Sequence, residues 1–550
     1  MDYPMVRGPL PPGVKLEENV YVKMRDGVKL AVDVYRPEAE GRYPALLAMS
    51  PYMKEIQLRP PMLTHSIEAG NTGFFVPKGY VQIIVQIRGT GMSQGRYSFF
   101  DSAEQRDGYE LVEWAAKQPW CDGNVGMIGD SYFAMIQHLV AAQQPPHLKC
   151  IAPFDGCSDL YRDFCYQGGI FFGWFIGMWG PDMLRQCVWP GPVKGKLPPA
   201  NYIADIGANP NDGPYYWERS GYTKADKIKV PMLSMVAHQG FLHSRGQLAL
   251  YPMVKSPKKL LVVPPSGIHQ HELFLISPAM NEYLLKWYDY WLKGKDTGIM
   301  NEPEVAIFDD ATQQWRYENE YPLARTKWTK FYLRSNPAGP ANKPPYGLLS
   351  AEPPGNEEPD KFMFPESIGL AAMGKPALAY ATFPLNKDVQ VWGPLSISLQ
   401  GSSTTLDTEW FVRLGDVGPD GNVAQLTYGF LKGGHRQVDE AKSRQGQPFH
   451  PFQSLARPEP GKIYEYQIEM MPIFHTFKAG HKIWVQIAGE DFWYREHLRT
   501  LNISELLPLP ATNSVYHDPA HPSHLLLPVI PEAAVIKAVP PPVSQIKWPP

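Results

Sequence analysis

Nowhere in this 550-residue chain is there a basic run that would track phosphates, and 52 Lys and Arg are balanced by 55 Asp and Glu for a formal net charge of −3. That balance gives no electrostatic case for a nucleic acid or a membrane surface as partner. Long apolar runs are missing as well: no stretch reaches bilayer-spanning length. The start, Met1-Asp2-Tyr3-Pro4-Met5, lacks the basic region and apolar core of a secretory signal, so a cytoplasmic location is the expectation. Cysteine is scarce. The five lie between Cys121 and Cys187 with no Cys-x-x-Cys pair, and they read as reduced, mostly buried thiols. No internal repeat is present. The glycines of Arg88-Gly89-Thr90-Gly91-Met92-Ser93-Gln94-Gly95 are spaced G-x-G-x-x-x-G, which misses both the dinucleotide and the P-loop patterns. His269-Gln270-His271 has ligand spacing, but no HExxH helix or other ligand cluster completes a metal site. No cofactor and no metal are expected, and a small molecule is the expected partner. Oligomeric state stays open, a homodimer included.

What is there begins with bulk. With 44% hydrophobic residues over this length, the chain exceeds one core and should divide into two to four domains. Its organising stretch is Asn124-Val125-Gly126-Met127-Ile128-Gly129-Asp130-Ser131-Tyr132-Phe133-Ala134. A short apolar run reading as a buried strand stops at Gly129, and the apolar spacing after it predicts a helix. Ser131 then sits on a strand-to-helix turn. Such a turn is a nucleophile elbow: the bend lifts the serine oxygen to the top of the sheet, and the next backbone N–H helps bind an oxyanion. Gly129 supplies the small residue before the serine; Phe133 stands where a second small residue is usual.

Around this stretch, residues 19 to 36 alternate about Asp26-Gly27, a hairpin signal. Strands are predicted at Tyr43 to Met49 and Val81 to Ile87, and a helix at Glu104 to Gln118. Strand, helix and strand in succession indicate an α/β domain with a mostly parallel sheet. The rhythm breaks after 145, resumes at Lys227 to Val236 and Lys258 to Val263, and ends with a helix at Asn281 to Leu292. From about 325 short strands punctuated by proline and glycine take over, including Val389 to Leu399, Trp410 to Leu414, Ala424 to Leu431, Ile463 to Met471 and Lys482 to Ala488. They predict a sandwich or jelly roll. Residues 539 to 550 form a proline-rich tail.

Gln118-Pro119-Trp120-Cys121-Asp122-Gly123-Asn124-Val125-Gly126-Met127 followed by Gly129-Asp130-Ser131-Tyr132 resembles the elbow region of the cocaine esterase and X-prolyl dipeptidyl-peptidase superfamily of serine hydrolases. Pro51-Tyr52-Met53-Lys54 and Arg88 to Gly95 look like that family's too, as do Pro394-Leu395-Ser396-Ile397, Asp416 to Gly421 and Phe477 to Ile483 toward the C-terminus. The resemblance implies an α/β-hydrolase core at 1–145 and 228–324, an inserted helical cap at 146–227, and a C-terminal β jelly roll at 325–550. It implies Ser131 as nucleophile, with the Tyr52 hydroxyl and the Tyr132 backbone N–H forming the oxyanion hole. His269 is the implied base, with His271 as the alternative.

One element departs from the family pattern. The family's catalytic aspartate belongs at Ala237-His238-Gln239-Gly240-Phe241-Leu242-His243-Ser244-Arg245-Gly246, where no aspartate stands. Anchoring on Leu242 to Gly246 puts Gln239 in its place; an ungapped alignment from Pro231 puts Gly240 there. A glutamine can orient an imidazole but supplies no charge to the imidazolium. Asp155, Asp159 and Glu272 are other carboxylates that would serve.

The expected activity is hydrolysis of an ester or amide through an acyl-enzyme on Ser131. The aromatic run Gln167 to Trp179 in the insertion implies an apolar or aromatic acyl group. The alternative is a non-hydrolytic enzyme, a cyclase, lyase or acyltransferase, reusing the pocket with His238, His243, His269 or His271 in acid–base catalysis. A further alternative is a binding protein that has kept the fold without the chemistry.

Overall fold

The first strands form where the sequence alternates. In the computed structural model, β1 (Val14–Lys23) and β2 (Lys29–Pro37) pair antiparallel with Lys23 opposite Lys29, and Gly27 at φ 87° turns the chain between them. The structure describes residues 10–54, 68–189, 191–238, 242–264, 277–335, 346–364, 377–489 and 511–531.

The sheet continues through β3 (Tyr43–Ser50), β4 (Val81–Gln86), β5 (Cys121–Asp130), β6 (Leu148–Phe154), β7 (Met232–Ala237), β8 (Lys258–Val263), β9 (Val305–Asp309) and β10 (Gln314–Glu318). In space the order is β1-β2-β4-β3-β5-β6-β7-β8-β9-β10. From β4 to β9 every neighbour is parallel. Strands β4 and β7 are buried along their whole length, as a sheet covered by helices on both faces requires.

Helix α1 (Ser102–Ala116) starts where the Asp101 side chain accepts the Glu104 N–H at 2.9 Å. It packs closely on α2 (Tyr132–Ala141): a Cβ on Gly108 would lie 2.2 Å from Val140 Cγ2. Between β6 and β7 the chain forms α3 (Gly173–Val188), α4 (Tyr202–Ala208) and α5 (Pro214–Glu218). The sheet resumes later than the sequence suggests, because Tyr222–Lys227 winds into a 3-10 turn and Pro231 precedes β7. Leu148–Phe154, counted above with the insertion from 146, is core strand β6 instead; Cys150-Ile151-Ala152 is a short apolar run pinned between β5 and β7. After β7 come α6 (Ser244–Leu250) and, after β8, α7 (Pro278–Lys293), whose Tyr288 hydroxyl donates to the Met127 carbonyl under β5 at 2.9 Å.

Beyond β10 the chain builds one β sheet that closes on itself. The long strand Val389–Ser403 pairs with Tyr464–Phe477 on one edge and with His524–Val529 on the other, and six further strands lead round from one partner to the other. Two largely buried arginines tie this C-terminal domain to the earlier part of the chain. Arg162 meets Asp159 and Asp212 and donates to the His450 carbonyl, while Arg245 links Asp163 at 2.8 Å to Glu469 at 2.9 Å. The five cysteines are free and buried. Among the described residues no helix is long and apolar enough to cross a membrane. The proline-rich stretch from 539 lies outside the described residues.

Candidate active site

Strand β5 is apolar and buried at Val125, Met127 and Ile128, then delivers Ser131 to the C-terminal edge of the sheet. Ser131 has φ 57° and ψ −117°, a conformation that non-glycine residues rarely hold, and α2 begins at the next residue. Its N–H donates to the Phe154 carbonyl of β6 at 3.0 Å, and its carbonyl accepts from Ala134 and Met135. Gly129 is required here: at φ 137°, a Cβ would meet Phe133 Cβ at 2.3 Å and the Glu68 carbonyl at 2.8 Å. Phe133 is tolerated at the place of a small residue because it turns inward, buried, with its ring 5.9 Å from that of Tyr52.

Facing the serine is His243, which immediately precedes α6. Its Nε2 lies 3.3 Å from Ser131 Oγ. Two residues on, Arg245 clamps the start of α6 between Asp163 and Glu469. Gly246 lets the helix approach, since a Cβ there would fall 1.8 Å from Asp163 Oδ2.

Tyr52 follows β3 and is buried, its ring 6.1 Å edge-on from that of Tyr132. Its hydroxyl accepts from Trp179 Nε1 of α3 at 3.2 Å. Burial first, then the negative charges of Glu68 and Asp130, push this phenol well above its ordinary pKa, while hydrogen bonds with Trp179 and Ser131 pull the other way. The group stays a protonated donor across the physiological range. Tyr132 heads α2, so its N–H is among those that a helix leaves without an intrahelical acceptor. Its ring stacks on Phe100 at 3.8 Å and its hydroxyl donates to Glu104. Over the two tyrosines Trp179 stacks with Phe175 and Tyr132 and abuts Phe99, Phe164 and Tyr202, an aromatic wall supplied largely by the insertion.

The structure thus brings Ser131, Tyr52, Tyr132 and His243 together. Gln239, His269, His271 and Glu272 lie outside the described residues. His238 is fully buried and faces the C-terminal domain, its ring 6.0 Å from Phe474; burial lowers its pKa, offset in part by Asp310. Asp159 is committed to Arg162, whose N–H and guanidinium it accepts. Asp155, at φ 47° directly after β6, accepts the Ala237 N–H at 2.7 Å, and burial pushes its carboxyl up to about 8. The glycines after β4 serve a turn: a Cβ on Gly89 would strike the Tyr97 nitrogen, and Arg88 holds both carboxylate oxygens of Asp107 through its Nε and Nη2. Among the described residues no cluster of three or more His, Cys, Asp or Glu is arranged to hold a metal ion. Sequence reasoning missed Trp179 and Glu104. Nothing in the spacing of either marks its hydrogen bond to a site tyrosine.

Comparison with known proteins gives a concordant picture. The model of the X-Pro dipeptidyl-peptidase (S15 family) matches residues 26–270, and that of the X-Pro dipeptidyl-peptidase C-terminal non-catalytic domain matches 297–526. Cocaine esterase of Rhodococcus sp. (strain MB1 Bresler) is 28% identical over 589 aligned positions, covering 93% of this chain and 98% of that protein. In fold, the chain resembles a CocE/NonD family hydrolase from Staphylococcus aureus (TM-score 0.83, 22% identity, 96% and 99% of the two chains). It also resembles an alpha-amino acid ester hydrolase (TM-score 0.70, 20% identity, 94% and 97%).

Proposed function

The chain belongs to the cocaine esterase and X-Pro dipeptidyl-peptidase superfamily, and from that premise we propose that it cleaves an ester or amide through an acyl-enzyme on Ser131, with His243 as the base. The observation that carries this reading is the 3.3 Å approach of His243 Nε2 to a serine held on a left-handed turn. A nucleophile and a base within reach of each other are the signature of covalent catalysis.

In this reading Ser131 Oγ attacks the carbonyl carbon as its proton passes to His243 Nε2. The oxygen that becomes negative is met by the Tyr52 hydroxyl and the Tyr132 N–H. Collapse of the tetrahedral intermediate expels the alcohol or amine, which takes the proton back from His243. Water, deprotonated by the same nitrogen, then releases the acid and frees Ser131. The aromatic wall of Trp179, Phe164 and Phe175 favours an apolar or aromatic acyl group, since such side chains line pockets for apolar ligands. In this reading the triad is atypical, with Gln239, or Gly240 by the ungapped alignment, where an aspartate would stand.

The test is labelling by a fluorophosphonate probe, with the modified peptide identified by mass spectrometry in the wild type and in Ser131→Ala, His243→Ala and His269→Ala. Expected is a label on Ser131 that is lost in Ser131→Ala, slowed at least a hundred-fold in His243→Ala and kept in His269→Ala. Labelling that survives in His243→Ala and disappears in His269→Ala would move the base to His269. Folded wild-type protein that takes no label would sink the acyl-enzyme reading and favour acid–base chemistry without a serine adduct.

A further inference from the structure

Tyr52 comes to the site on a loop after β3, and a phenol can rotate its O–H through a wide arc. Something must aim it. The Tyr52 oxygen accepts from Trp179 Nε1 at 3.2 Å, and an indole N–H is a donor only. The oxygen lone pair on that side is therefore occupied, and the Tyr52 proton has to point elsewhere. Ser131 is also within hydrogen-bond reach of the Tyr52 hydroxyl, and a carbonyl under attack by Ser131 would place its developing oxyanion near that hydroxyl. Accepting one hydrogen bond also makes a hydroxyl a better donor in the next.

Trp179 is itself held. Its ring lies 13° from the plane of Phe175 and 25° from that of Tyr132, and Phe99, Phe164 and Tyr202 abut it. It is only 6% exposed and sits on the inner face of α3. The indole therefore cannot follow the tyrosine if the tyrosine turns.

We propose that Trp179 of the insertion is a positioning residue of the oxyanion site, aiming the Tyr52 hydroxyl at Ser131. The inference rests on the serine-hydrolase reading for its effect on rate, and on geometry alone for the hydrogen bond. The insertion then does more than wall the acyl group: it sets the direction of one of the two donors that stabilise the intermediate.

Two measurements on the full-length protein separate the inference from the reading beneath it. The first reads the hydrogen bond without any turnover, from the indole ¹⁵N–¹H resonance of Trp179, assigned by its loss in Trp179→Phe. Tyr52→Phe removes the acceptor and is expected to shift that resonance upfield. A resonance that does not move overturns the proposal whether or not the protein is a hydrolase. The second compares hydrolysis of a p-nitrophenyl phenylacetate probe and inhibition by phenylboronic acid, which forms a tetrahedral adduct on serine. Trp179→Phe is expected to lower kcat about ten-fold with KM within about two-fold, to weaken the boronate by a similar factor, and to have no further effect on a Tyr52→Phe background. Trp179→Met takes the same comparison if the phenylalanine variant does not fold. An undiminished effect on the Tyr52→Phe background, or one confined to KM, would make Trp179 a wall residue and overturn the proposal. Wild-type protein without label or turnover, but with the expected resonance shift, would instead count against the hydrolase reading alone.

Discussion

The two carboxyl oxygens of Glu104 lie 3.0 and 3.1 Å from the Tyr132 hydroxyl, and the Phe100 N–H reaches one of them at 3.0 Å. Full burial, helped by Asp101, raises this carboxyl to about 8 against the pull of those hydrogen bonds. A carboxyl raised on folding binds its proton more tightly in the native state, so its contribution to stability falls as pH rises from about 4.5 to about 8. Glu104→Gln, neutral at every pH, is expected to match the wild type in urea midpoint near pH 5 and to exceed it near pH 9. Equal differences at the two pH values would refute this.

Ser131 holds φ 57° with a Cβ attached. Backbone strain of this kind costs about 1–3 kcal/mol, and glycine escapes most of it. Ser131→Gly is expected to be more stable than Ser131→Ala by about 1 kcal/mol in urea unfolding. The alanine variant retains the strain, which makes it the proper reference.

At Gly246 a methyl group would fall on Oδ2 of Asp163, the carboxylate whose Oδ1 accepts from Arg245. Gly246→Ala has to push α6 away from the insertion. It is expected to cost about 1–3 kcal/mol and to slow fluorophosphonate labelling of Ser131, because His243 precedes the displaced helix. Unchanged labelling in a destabilised variant would show that His243 is held by something other than α6.

His475 lies between Asp310 at 2.8 Å and Asp416 at 3.0 Å, with His481 on the far oxygen of Asp416 and His238 and Asp309 nearby. Burial disfavours its charge, but the hydrogen bonds and negative charges of the two carboxylates outweigh that and raise it to about 9. A histidine raised on folding contributes stability that is complete below about 6.5 and lost as pH climbs through about 9. His475→Gln should therefore lose on the order of 2 kcal/mol near pH 6 and much less near pH 9.5, read from urea midpoints at both. A loss independent of pH would mean that the ring acts by packing alone.

The parts of the molecule built from local pattern were legible in the sequence. The Asp26-Gly27 hairpin, the strand into Ser131 and the helix after it follow from alternation, apolar runs and a glycine that nothing larger could replace. Leu148–Phe154 was misassigned because a short buried strand and the start of an apolar insertion have the same composition. His243 entered only as one of several histidines. Its pairing with Ser131 spans 112 positions and depends on how α6 is docked, which no local pattern encodes. Trp179 was hidden in plain view, one aromatic in the run Gln167 to Trp179, with nothing to mark the ring whose N–H finds a tyrosine. Glu104 looks like an ordinary acidic residue in a first helical turn, and only the fold turns it inward to Tyr132.

Arg245 grips Asp163 and Glu469 at once, and so makes the last third of the polypeptide a party to the placement of His243. During synthesis the ribosome releases the nucleophile, its turn and the oxyanion donors long before Glu469 exists. Until that residue arrives, the segment carrying His243 lacks its outer anchor. The nascent chain is thus expected to stay silent toward esters and amides in its surroundings, and to acquire reactivity at Ser131 only when its final domain has docked.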